Sequence, residues 1–180
     1  MENQDGNHGN AIHTFEQERV MREYKDAVNS DVRTYIEDVI KGNDGLKYIS
    51  VGTFPVTATT RIRELTQKEV EGSAVVLDRN AVNHIIKRHG ENGIQDHSMK
   101  NIDDLARIGY VINNYDLIEY EDRTTTAYLD ENGKPSPMVK ISKRIDGTYY
   151  VIEAVNSSKK KRNYIVSAFI KKAENEETAL

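Results

Sequence analysis

The sequence predicts an α+β fold in which N-terminal helices are followed by an antiparallel β-sheet meander. Three observations predict it. Between Ile12 and Lys41 the residues Val20, Tyr24, Ala27, Val28, Val32, Tyr35, Ile36 and Val39 lie close to one helical stripe. From Met138 onward apolar residues alternate, in MVKISKRI, GTYYVIEAVN and YIVSAFIK, which is the period of half-buried strands. Short turn-forming joints separate several of the later strands, so neighbours should run antiparallel. Helices first and consecutive strands afterwards put the helices on one face of the sheet.

In chain order, residues 1 to 11 are rich in Asn, Gly and Asp and read as disordered. Asn29-Ser30-Asp31 divides the helical stretch, with Ser30 as the cap. Leu46 to Phe54 reads as a strand that Pro55 ends. Val56 to Arg61 is β-prone, and Leu65 to Val70 suggests a helical turn. Ser73 to Leu77 is a strand leading into a helix that Asp78 caps and Gly90, read as a left-handed residue, ends. Glu91 to Lys100 is a loop of the kind that lines a site, and Asn101 to Arg107 a short helix. Leu117 to Glu121 and Thr124 to Leu129 are short strand candidates. Asp130 to Pro135 is a turn, and Asp146-Gly147 closes a hairpin. This divides the chain into a helical extension, 1–45, and a domain, 46–180, with a disordered C-terminal tail. The extension is either an arm packed on the domain or a connector.

At 180 residues the chain can build one domain with a core. No window is apolar enough to span a membrane, and the polar N-terminus lacks the apolar core of a signal peptide. The absence of cysteine excludes disulfide scaffolds and cysteine-zinc sites. The net charge of −4 averages over an asymmetry: from Met138 to Lys172, nine Lys or Arg stand against two Asp or Glu. That is the pattern of a local polyanion-binding surface on an otherwise acidic protein.

The candidate chemistry centres on LDRNAVNHIIKRHG, Leu77 to Gly90. Val82, Ile85, Ile86 and His89 follow the spacing of a buried stripe, so His89 stands where an apolar residue is expected. His84 and Arg88, one turn apart, can act on one ligand. In the strands, alternation sets Lys140 and Arg144 on the more polar side of Met138 to Ile145. Glu153 and Ser167 interrupt otherwise apolar strands. Histidine with Lys/Arg and a hydroxyl or carboxylate suits cleavage of RNA by its own 2′-hydroxyl. His84 and His89 are five residues apart, unlike the i, i+4 pair of a zinc helix, and no phosphate loop or carboxylate cluster is present. No metal site or cofactor is therefore expected.

The histidine-helix run, the short helix IDDLARI and the strands MVKISKRI, GTYYVIEAVN and NYIVSAFIK together resemble a phage-associated group of nuclease-like domains. These belong to the Barnase–EndoU–colicin–RelE (BECR) superfamily, found as C-terminal toxin domains of MuF-type phage polyproteins and related polymorphic toxins. The likeness covers about residues 70 to 172. It implies a curved antiparallel sheet whose concave face holds the site, and a metal-independent endoribonuclease. It carries over His84, Arg88 and His89 from the helix motif, and Lys140, Arg144, Glu153 and Ser167 by strand position.

The expected catalytic set is therefore His89, His84, Lys140, Arg144, Glu153, Ser167 and Tyr164. Arg88, Lys143, Lys159, Lys160 and Arg162 are expected to hold RNA, with tRNA one candidate. A toxin of this kind would act in the cytoplasm of a producing or target bacterial cell. It could be phage-encoded and delivered, and an immunity or antitoxin protein would neutralise it. The alternatives are a nucleic-acid-binding module that cleaves nothing and a phage structural or interaction domain.

Overall fold

The structure, a computed structural model, describes residues 5–157 and 162–172. Helices α1 (Asp5–Asp26) and α2 (Ser30–Ile40) precede strand β1 (Tyr48–Thr53). Helix α3 (Val56–Thr66) leads to β2 (Ala74–Asp78), which runs directly into α4 (Arg79–His89). Two short helices, α5 (Ile102–Ala106) and α6 (Ile108–Asn113), precede β3 (Leu117–Glu121), β4 (Met138–Arg144), β5 (Thr148–Ser157) and β6 (Arg162–Lys171). The strands form one sheet in the order β1-β2-β6-β5-β4-β3.

Strands β3 to β6 form the antiparallel meander that the alternation predicts. The β1–β2 hairpin joins it through a parallel pairing of Val75 and Val76 with Asn163 and Tyr164, a connection the turn signals do not disclose. This parallel pairing is short. Beyond it the Ile170 amide of β6 donates to Ser98 Oγ at 3.1 Å, so a side chain takes up a donor that a strand would otherwise satisfy.

One face of the sheet carries Val139, Ile141, Tyr149, Val151, Val155, Ile165 and Ala168 into the main core, against α2, α4, α5 and α6. The helical extension belongs to this core. Tyr24, Val32, Tyr35, Ile36 and Val39 are buried in it, and the Tyr24 hydroxyl donates to Asp104 at 2.5 Å. The opposite, more open face holds a smaller cluster around Met138, Ile152 and Ala154. Tyr128, Tyr164, Val166 and Phe169 pack on it.

Several local expectations are corrected. Helix α1 already runs from Asp5, where disorder was expected. Asn29 rather than Ser30 caps α2, its Oδ1 accepting from the amides of Asp31 and Val32. Residues 56–66 form one helix instead of a β-prone run and a separate turn. Ala58, Thr59 and Ile62 are buried on one side of it. The hydroxyls of Thr59 and Thr66 donate back to the carbonyls of Val56 and Ile62, each at 2.7 Å. Burial outweighs the reluctance of β-branched residues to be helical, and these local bonds satisfy the threonine hydroxyls. Thr124 to Leu129 forms no strand; its last residue makes an isolated bridge to Pro135. Gly90 has φ −76° and is not left-handed. A Cβ there would lie 2.5 Å from the Ile86 carbonyl oxygen, so glycine is required for close approach. The expected tail, 173–180, lies outside the described residues.

Candidate active site

Helix α4 positions the candidate groups. The Asp78 carboxylate accepts from the Ala81 amide at 2.8 Å, fixing where the helix begins. Ala81, Val82 and Ile85 are buried along one stripe, which carries His89 inward to 2% exposure at the helix end. The following loop then folds back over that end. The amides of Gln95 and Asp96 donate to the Arg88 carbonyl at 3.0 and 3.1 Å, and the Met99 amide to the His89 carbonyl at 2.7 Å. These bonds bring Asp96 Oδ1 to 2.9 Å from His89 Nδ1. On its other side the imidazole stacks on Phe169, with ring centroids 5.2 Å apart.

Partial burial raises the pKa of Asp96. Hydrogen bonds from Ser98 and His89 outweigh this and hold the carboxyl below its ordinary value. His84 is exposed at the rim of the site. The sheltering of its ring, followed by the charges of Arg88, His89 and Lys87, lowers its pKa below the usual histidine value. His84 therefore favours the neutral form at pH 7, which can accept a proton.

His84, Arg88 and His89, with Gln95 and Asp96, form one wall of a cavity of about 440 Å³. Arg123, Thr124 and Thr125, from the segment after β3, form a second wall. Met138, Ile152, Ser167, Phe169 and Lys171 close it on the sheet side. Three cations thus surround a space that contains both imidazoles. Arg88 Nη1 donates to Gln95 at 3.2 Å, and Arg123 pairs with Glu121 at 3.1 Å.

The structure brings together His84, Arg88, His89 and Ser167 out of the expected set. Lys140 lies on the same sheet face, in register with Ile152 and Ser167. It is outside the cavity wall and is paired with Glu119 at 3.5 Å. Arg144 lines a different cavity, about 560 Å³, between α1 and the β4–β5 turn. Tyr164 is on the open face but stacks on Tyr128, at 4.9 Å, away from the imidazoles. The Arg162 guanidinium lies 4.2 Å over the Tyr48 ring. Lys143 is in register with Tyr149, on the core side, and reaches Asp116 at 3.1 Å.

Glu153 does not join the cleft. It points into the main core, fully buried, in register with Val139 and Ile165. Neither of its carboxyl oxygens has a hydrogen-bond partner. Burial pushes its pKa up to about 8, so it is largely uncharged at pH 7. Lys159 and Lys160 lie outside the described residues. The cavity adds groups that the sequence reading did not single out: Asp96, Gln95, Arg123 and Lys171. Of these only Asp96 had a sequence signal, its place in the loop after the histidine helix, and that signal does not disclose its contact with His89. No group of three or more His, Cys, Asp or Glu among the described residues could hold a metal ion, and none of their helices is long and apolar enough to cross a membrane.

The family model described as phage-Barnase-EndoU-ColicinE5/D-RelE like nuclease3 matches residues 54–178, more than half of the chain. The chain belongs to this family of nuclease-like domains, and the family implies a nucleic-acid substrate. Neither the curated proteins nor the solved structures yield a match. The matched span contains α4, the Asp96 loop, the β3–β4 segment and β6, and hence every wall of the cavity.

Proposed function

We propose that the domain is an endoribonuclease that cleaves RNA by attack of the substrate's own 2′-hydroxyl, without a metal. The observation that carries this reading is the His89–Asp96 pair opening onto a cavity shared with His84 and three cations. His84, kept neutral, takes the 2′ proton as the oxygen attacks phosphorus. His89, oriented by Asp96, gives a proton to the departing 5′ oxygen. The products are a 2′,3′-cyclic phosphate and a free 5′-hydroxyl. Arg88 and Arg123 stabilise the charge that develops on the phosphoryl oxygens, and the Ser167 hydroxyl donates to one of them. On this reading the domain is a toxin acting in a bacterial cytoplasm, with an acidic immunity or antitoxin protein as its neutraliser.

The purified chain incubated with total RNA or tRNA in EDTA tests the proposal. Fragments ending in a 2′,3′-cyclic phosphate are expected, and His89→Ala should abolish them. RNA that stays intact overturns the enzyme reading, and salt-sensitive retention of intact RNA would identify a binding module instead. Cleavage that requires added magnesium overturns the metal-independent route.

A further inference from the structure

A row of three aromatic rings leads outward from the reactive imidazole. His89 stacks on Phe169 at 5.2 Å, and Phe169 stacks on Tyr150 at 5.3 Å. Tyr150 lies beyond the cavity wall, half-buried on the same sheet face, opposite Ser142 on β4 and Phe169 on β6. Two ammonium groups approach its ring from opposite diagonals. Lys140 Nζ, two residues along β4 from Ser142, is 5.8 Å from the ring centroid. Lys171 Nζ, two residues along β6 from Phe169, is 5.7 Å away. Glu119 partly compensates Lys140. Lys171 is exposed and makes no ion pair among the described residues, and it also lines the cavity.

Lys140 is held by Glu119, so Lys171 is the ammonium group beside the ring that is left to bind a phosphate. A half-buried tyrosine ring is a surface on which an unpaired base can stack. We infer that Tyr150 and Lys171 form a second nucleotide subsite, adjacent to the reactive phosphate. The subsite takes an unpaired nucleotide, with its base on Tyr150 and its phosphate on Lys171. It rests on the nucleic-acid reading of the cavity and extends it, because it selects single-stranded substrates longer than a dinucleotide. A paired base cannot reach the ring without leaving its stack.

The probe is a fluorescent 2′-O-methyl hexanucleotide, which lacks the attacking hydroxyl, titrated into the full chain and read by anisotropy. Tyr150→Leu should weaken binding about tenfold, as expected for loss of one stacked base. Lys171→Gln should weaken binding and reduce the salt slope by about 0.7, one phosphate contact on a single strand. The same hexanucleotide annealed to its complement should be insensitive to Tyr150→Leu. In cleavage assays, the advantage in kcat/KM of a hexanucleotide over a dinucleotide should shrink about tenfold in either variant. Lys171 is exposed, so its variant tests the subsite even if Tyr150→Leu fails to fold. Wild-type binding in both variants, equal losses on single strand and duplex, or no measurable binding by the wild type would overturn the subsite. Specific binding losses in a chain that cleaves no RNA would retain the subsite and remove the nuclease reading. Cleavage with no binding losses would do the reverse.

Discussion

His89 Nδ1 and Asp96 Oδ1 lie 2.9 Å apart, joined across the end of α4 by a loop that doubles back onto the Arg88 and His89 carbonyls. The carboxylate fixes which ring nitrogen is engaged and leaves the other as the one that the proposed reaction would use. An amide at position 96 would retain the bond from the Ser98 backbone but lose the charge that stabilises a protonated ring. Asp96→Asn is therefore expected to fold normally and to lower single-turnover cleavage by roughly 100- to 1000-fold, the lower part of the range for a positioned acid–base group. A variant that cleaves as fast as wild type would show that the pair is structural only.

His84 gives a prediction in pH. The neighbouring charge of Arg88 is one cause of its lowered pKa, after the sheltering of the ring. A nearby positive charge disfavours a second one, so Arg88→Gln should raise the His84 pKa toward its ordinary value. A base that is protonated at higher pH loses activity at higher pH. If His84 is the base proposed, the acid limb of the pH–rate profile should then move to higher pH, whatever the overall loss in rate. NMR titration of the His84 ring reads the shift directly.

The helix end of this cavity was legible in the sequence, and what was missed has physical causes. The cap at Asp78 and the apolar stripe of α4 are local patterns, so the inward placement of His89 could be read from spacing. The contact of Asp96 could not, because it depends on how the loop after α4 folds back onto the helix end. Strand alternation put Glu153 with Tyr149, Val151 and Val155, and the structure keeps that grouping. It could not say that this side is the core. In β6 alternation was misleading. It separates Tyr164 from Ser167, yet the pairing shifts between Ile152 and Glu153. That bulge puts Tyr164, opposite Ala154, and Ser167, opposite Ile152, on the same open face. A single inserted residue has no signature in periodicity.

Glu153 should make the fold sensitive to alkali. Its carboxyl is buried without a hydrogen-bond partner, and its pKa is pushed up to about 8 by burial, from about 4.5 in a solvated chain. The unfolded chain therefore releases this proton at lower pH than the folded one. The stability contribution is full below about pH 4.5, declines as pH rises, and is lost once pH passes about 8. Glu153→Gln should flatten that decline in Tm between pH 5 and 8. An equally steep fall in the variant would place the sensitivity elsewhere.

Tyr128 ties a cavity wall to the start of α4. Its hydroxyl lies 3.1 and 3.2 Å from the two carboxylate oxygens of Asp78, the residue that caps the helix. Burial, followed by the Asp78 charge, pushes its pKa well up, so the phenol remains a donor at any working pH. Tyr128→Phe keeps the stack on Tyr164 and removes only the hydroxyl. The cost should be about 1.5–3 kcal/mol, one hydrogen bond to a charged group. Arg123 to Thr125 lie a few residues upstream on the same segment, so KM should rise more than kcat falls. A fall confined to kcat would contradict this role for the segment.

Gly93 is a position where one methyl group should disconnect the Asp96 carboxylate from the imidazole. A Cβ there would collide with the Asp96 carbonyl oxygen and lie 2.6 Å from the Arg88 carbonyl oxygen. Both are backbone atoms, so no side chain can swing aside. The Arg88 oxygen is also the acceptor that holds Gln95 and Asp96 against the helix end. Gly93→Ala should therefore shift the loop at a cost of roughly 1–3 kcal/mol, typical of overpacking. The main core, which Gly93 does not enter, should stay folded. Cleavage should fall as far as in Asp96→Asn, and combining the two changes should add little, since both remove the same contact. Fully multiplicative losses in the double variant would show that the loop serves the reaction by some route other than His89.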